Sequence, residues 1–69
     1  MPISLAEEHQ ALVIRRVTGD AKMKKHLENL GFVAGEEVKV VHRIGESLIL
    51  KVKGVSLAIS ADLARRIIV

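Results

Sequence analysis

From Val38 onward the chain adopts a period of two and keeps it, through two interruptions, as far as Ser60. Val38, Val40, His42 and Ile44 share one parity, and Lys39, Val41 and Arg43 the other. Gly45-Glu46-Ser47 breaks the run, after which Leu48, Leu50 and Val52 alternate with Ile49, Lys51 and Lys53. Gly54 makes the next tight connection, and Val55, Leu57 and Ile59 alternate with Ser56, Ala58 and Ser60. Three alternating runs joined by short glycine-bearing turns predict an antiparallel meander with one buried face. An open sheet of this kind presents two unpaired edges, which invite association with other chains. Curling the sheet and returning an N-terminal strand and a short Arg66-Ile67-Ile68-Val69 strand to its edges is the expected solution.

Between Thr18 and Gly31 the period changes to that of a helix. Met23, Leu27 and Leu30 fall at i, i+4 and i+7, one apolar stripe, while Lys22, Lys24, Lys25, Glu28 and Asn29 supply a wet surface. Asp20 is placed to cap the first turn, where free amides favour a carboxylate. Gly31 is the expected residue past the last turn, in the left-handed conformation, with Phe32 folding back over the helix end. Ala34-Gly35-Glu36 then turns the chain into the sheet. Upstream, Ser4-Leu5-Ala6-Glu7 has the form of a capping box and predicts one helical or 3₁₀ turn with Leu5 on the core. Ala11 to Val17 reads as a strand, with a bulge near Arg15-Arg16 to reconcile Leu12 and Ile14 with Val13 and Val17 on the opposite parity. Ala61 to Arg65 fits a helical turn before the last strand.

These elements make one domain over residues 1–69. The predicted class is mainly β: a small SH3-like barrel of about five strands, with one short α-helix after the first strand and a helical turn before the last. A five-stranded oligonucleotide-binding barrel is the structural alternative, though that fold more comfortably fills a longer chain with exposed aromatics.

The core of such a domain has to be aliphatic, since Phe32 is the one aromatic residue of 69. There is no cysteine, so neither disulfides nor thiolate ligands can staple it. The first residues lack a basic segment leading into an apolar stretch, and no apolar run approaches the roughly 20 residues of a bilayer span. A cytoplasmic protein without membrane insertion is the expectation. His9, His26 and His42 stand in three different elements with no metal-ligand spacing, so neither a metal site nor a cofactor is predicted. His42 shares the parity of Val40 and Ile44, which predicts a partly buried histidine at the barrel end. Glu7-Glu8 and Glu36-Glu37 are adjacent pairs whose members diverge on extended backbone, unsuited to paired-carboxylate chemistry. Ser47, Ser56 and Ser60 lie in no nucleophile elbow. Gly31 and Gly35 end a helix and precede a strand, the reverse of a phosphate loop. Nothing here predicts an enzyme.

Eleven Lys and Arg against eight Asp and Glu give a formal net charge of +3, spread over every element. A reader of single-stranded nucleic acid ordinarily adds stacking platforms to such charge, and this chain has no Tyr or Trp. Docking on an acidic protein face is therefore preferred over nucleic-acid binding. Val41, Ile49 and Ala58, apolar on the outward parity, are a candidate contact patch unless another segment covers them.

The segment from Leu27 to Val40, with its Leu30-Gly31-Phe32 step and Ala34-Gly35 turn, resembles the signature of the ferrous iron transport protein A family, FeoA. Val52 to Ile59 is similar to the family's Val-x-Gly-x-x-Ile-Ala-Leu segment, and Ala64 to Val69 to its closing Ala-x-x-Ile-x-Val. Ala34 stands where the family pattern carries proline, His26 where arginine is common, and Ser60 at a position often basic. The resemblance implies an SH3-like fold and a small cytoplasmic accessory protein of ferrous iron uptake. It also implies a partner: FeoB, the separate GTP-dependent membrane transporter, or its soluble GTPase domain. A related domain closes metal-dependent repressors, so a metal-responsive regulatory domain stands beside the nucleic-acid barrel as an alternative. The expected partner contact comprises Lys22, Lys25 and His26 on the helix and Gly31, Ala34 and Gly35 at the turn after it.

Overall fold

The computed structural model describes residues 1–69. A 3₁₀ turn at Ile3–Leu5 is followed by β1 (Ala11–Val13), β2 (Arg16–Val17), α1 (Ala21–Asn29), β3 (Glu37–Ile44), β4 (Ser47–Val52), β5 (Val55–Ser60), α2 (Ala61–Ala64) and β6 (Ile67–Ile68). The predicted meander is present as β3-β4-β5, all antiparallel, and β1 joins β3 to complete a sheet of order β1-β3-β4-β5. A second, two-stranded sheet pairs β2 with β6. The fold is small and SH3-like, with six strands in place of five and two sheets sharing one core rather than a closed barrel.

The sixth strand arises where one continuous strand was expected. The parity conflict at Arg15-Arg16 is resolved not by a bulge but by a change of sheet. Val13 still pairs with Glu37 of β3, whereas Arg16 already pairs with Ile68 of β6. At the crossing, the Ile14 amide donates to the Glu36 carbonyl at 2.9 Å and the Arg15 amide to that of Ile68 at 2.7 Å. Ile14 is thereby turned into the core between the two sheets.

The bulge lies in β3 instead. Val40 pairs with Leu50 and His42 with Ile49, so Val41 is the extra residue. Such an insertion reverses the facing pattern beyond it. His42 consequently faces outward, contrary to its predicted half-burial, and its Nδ1 lies 2.8 Å from Glu8 Oε2 on the surface. Arg43 takes the inward parity opposite Leu48. Its guanidinium closes the end of the core by donating to the carbonyl oxygens of Ser4 and Ala6, the latter at 2.7 Å. Of the outward apolar positions, Val41 and Ile49 are half-buried and Ala58 is exposed.

The 3₁₀ turn also departs from expectation. Pro2, not Ser4, precedes it, and no side chain caps it. Ile3 and Ala6 enter the core, while Leu5 is 69% exposed. Three residues per turn eclipse i and i+3, so burying Ile3 and Ala6 directs Leu5 to solvent. Arg43 holds this turn by charged hydrogen bonds to carbonyls that have few alternative partners. Arg43→Ala is expected to cost about 1–2 kcal/mol, with Arg43→Lys recovering part of it, measurable as a lower urea midpoint at unchanged m-value.

Thirteen residues form the core, all apolar: among them Ile3, Ile14, Leu27, Phe32, Val38, Leu50 and Ile67. Helix α1 contributes Leu27 fully and Met23 partly. Both of its ends are closed as the sequence predicts. The Met23 amide donates to Asp20 Oδ1 at 2.8 Å. At the other end Gly31 has φ +104°, its amide reaches the Glu28 carbonyl at 2.9 Å and that of Phe32 the Leu27 carbonyl at 3.0 Å. These two bonds constitute a complete Schellman motif.

Candidate partner-docking site

Helix α1 projects Lys22 from its first turn and His26 from its last, both beside Met23, whose side chain lies along the apolar stripe and remains partly exposed. Asp20, Lys22, Met23 and His26 line a shallow depression of about 250 Å³. Met23 is shared with a larger cleft of about 510 Å³, whose other walls are Thr18, Asp62, Leu63, Arg65 and Arg66. Beyond α2 a third cleft of about 310 Å³ lies between Ser60-Ala61-Asp62 and the Glu46-Ser47 turn, again including Arg65. A groove thus runs from α1 across both flanks of α2.

Local chemistry explains why α2 stands there. Ser60 Oγ accepts from the Leu63 amide at 3.4 Å, and Arg65 pairs with Asp62 within the same turn. The Ala61 amide donates to the Glu46 carbonyl at 2.8 Å, tying the start of α2 to the β3–β4 turn. On the α1 side, the Arg66 carbonyl accepts from the Thr18 amide at 2.7 Å and from its hydroxyl at 3.3 Å. The Arg66 side chain lies over Gly19, where a Cβ would come within 3.3 Å of its Cδ. Gly19 has φ +119°, so both its backbone and its missing side chain make room for that arginine.

The groove carries free positive charge. Asp20 is engaged by the α1 cap and Asp62 by Arg65, whereas Lys22 and Arg66 make no ion pair. Met23 and Leu63 supply apolar surface between them. No serine or threonine hydroxyl is bonded to a histidine, and no three His, Asp or Glu side chains converge in a way that could hold a metal ion. The arrangement offers adhesion through an apolar strip with cationic rims.

Of the contact residues expected from sequence, Lys22 and His26 meet around Met23. Lys25 is exposed on the same helix but lines neither cleft. Gly31, Ala34 and Gly35 belong to the opposite end of α1. There Gly31 packs 3.5 Å from Val52 Cγ1, reckoned from an added Cβ, and the Gly35 amide donates to the Ile14 carbonyl at 2.8 Å. Thr18, Leu63 and Arg66 were not expected in the site. Thr18 and Arg66 are 48 residues apart, and only the β2–β6 pairing brings them together. The one local hint was Gly19, a glycine immediately before a helix cap.

No helix is long and apolar enough to cross a membrane. Among solved structures, an iron uptake regulatory protein (FeoA) superposes with a TM-score of 0.90 at 24% identity, covering 97% of this chain and 91% of that one. FeoA of Stenotrophomonas maltophilia, solved in complex with zinc, superposes with a TM-score of 0.87 at 30% identity, covering 99% and 87%. That protein is described as a procaryotic SH3 domain protein and a candidate ferrous iron transport activating factor. A manganese-dependent transcriptional repressor shares the fold alone: TM-score 0.88 at 11% identity, covering 97% of this chain and 39% of that one. No curated protein matches the chain. The FeoA domain family model matches residues 1–69, the same span that the two sheets and their common core occupy, and the chain therefore belongs to the FeoA family, which is associated with ferrous iron transport.

Proposed function

We propose that this protein is a cytoplasmic accessory module of ferrous iron uptake, without enzymatic activity of its own, that docks on the soluble GTPase domain of the transporter FeoB. The observation that carries this reading is the Met23–Leu63 strip flanked by the unpaired cations Lys22 and Arg66. An apolar centre with a charged rim is the ordinary anatomy of a protein contact, and the sign of the rim selects an acidic partner face. Lys25 and His26 extend the rim along α1, and the Gly31, Ala34 and Gly35 turn is a secondary contact at its far end.

Lys22→Glu, Lys25→Glu and Arg66→Glu combined are expected to weaken binding to the FeoB GTPase domain by roughly tenfold or more, chiefly through slower association at low salt. Titration calorimetry or interferometry measures this, with circular dichroism to verify the fold. Unchanged affinity together with unchanged ferrous iron uptake in cells would remove the groove from the contact.

A further inference from the structure

Strand β5 ends the four-stranded sheet, and its far side has no strand beside it. Which backbone groups face that open side follows from the β4–β5 hairpin. Lys53 and Gly54, at φ +52° and +78°, form a two-residue turn closed by the Val52–Val55 pair. Both central residues at positive φ make it a type I′ turn, whose closing pair exchanges both hydrogen bonds. Val55, Leu57 and Ile59 therefore bond to β4, and Ser56, Ala58 and Ser60 direct their amides and carbonyls outward. The Ala61 amide, next in the inward series, does reach the β4 side, bonding to Glu46.

Natural edge strands are usually blunted by lysine, proline or a bulge. The sequence Val-Ser-Leu-Ala-Ile-Ser of β5 has none of these, its six registers with β4 are unbroken, and Ser56, Ala58 and Ser60 are exposed. We propose that β5 is a self-association edge, pairing antiparallel with β5 of a second copy about a two-fold axis at Ala58. That register is the one that pairs all three outward residues among themselves: Ala58 against Ala58, and Ser56 against Ser60 of the second copy. The Ala58 pair exchanges two hydrogen bonds. Each Ser60 amide reaches a Ser56 carbonyl, the Ser60 carbonyl being committed to the first turn of α2.

A side-chain consequence favours a second copy as the occupant. On the core face, half-buried Leu57 falls opposite Ile59 of the second copy, extending the apolar layer across the axis. At the two ends of the edge, Lys53 is paired with Glu36 and Asp62 with Arg65 within their own chain, so neither sets an uncompensated charge against a second copy despite the net +3. A strand edge covers less than the ~1,200 Å² of a standard stable interface, so the dimer is weak and concentration-dependent.

Sedimentation velocity from micromolar to millimolar protein is expected to show mass rising toward that of a dimer. Ala58→Pro deletes an outward amide without touching the β4 ladder, and Ala58→Lys sets like charges across the axis. Both should remain monomeric with an unchanged far-UV spectrum. Because the chain has no cysteine, register can be read directly. Opposed Cα atoms of a hydrogen-bonded pair, about 5.5 Å apart, suit a disulfide. Oxidised Ala58→Cys should crosslink with itself much faster than Ser56→Cys. A monomer at millimolar concentration, or equal crosslinking at both positions, overturns the proposal.

Discussion

Phe32→Ala is expected to leave the protein largely unfolded at physiological temperature. The ring is fully buried, is the only aromatic in the chain, and is the largest side chain of a 13-residue core. Emptying such a site typically costs 3–5 kcal/mol, about, through lost transfer energy and the cavity left behind. At roughly 0.05–0.15 kcal/mol per residue, the whole domain has only about 3–10 kcal/mol to lose. A second effect adds to the first, because Phe32 anchors the residue whose amide closes α1 on the Leu27 carbonyl. Loss of the ring therefore loosens the helix that presents Lys22 and His26. Thermal and urea denaturation followed by circular dichroism measure the stability. A midpoint within a few degrees of the parent would show that the core tolerates the void.

Gly31→Ala is expected to cost about 1–3 kcal/mol, for a reason independent of packing. An added Cβ meets Val52 at 3.5 Å, an ordinary contact, so space is not limiting. The backbone is: φ is +104°, beyond the left-handed well near +57° that other residues visit at modest cost. Gly45 is the matched control, with φ +57° and nothing within 4 Å of an added Cβ. Gly45→Asn should change stability by less than about 0.5 kcal/mol. Equal losses at the two positions would refute the assignment of the Gly31 cost to its dihedral angle. The Schellman bonds would release together with the strain, so the Gly31 variant should also show increased amide exchange across the last turn of α1.

What could be read from the chain divides by the range of the interactions involved. The α1 boundaries were legible because Asp20, Gly31 and Phe32 act on amides and carbonyls within three to five positions of themselves. The β3-β4-β5 meander was legible because period two and short turns are local as well. His42 was misplaced because a single inserted residue at Val41 reverses parity, and nothing in the residue types near it announces the insertion. Leu5 was misplaced for a related reason: a capping-box pattern at Ser4 competes with burial of Ile3 and Ala6, and packing prevails.

The candidate docking groove lies at the other extreme. Lys22 and His26 were visible as the wet side of an amphipathic helix, but Arg66 and Leu63 become their neighbours only through α2 and the pairing of β2 with β6. The amino-acid sequence alone determined a mainly β, aliphatic-cored domain with one capped helix, and the ordered motifs that mark its family. Tertiary structure decided where Ala11–Val17 changes sheets, which side of β3 faces water after Val41, and which distant cations share a groove. The physical reason is that caps, turns and periodicity are settled by neighbours along the chain. Sheet switching, bulge position and charge convergence are settled by the requirement that two sheets bury one core.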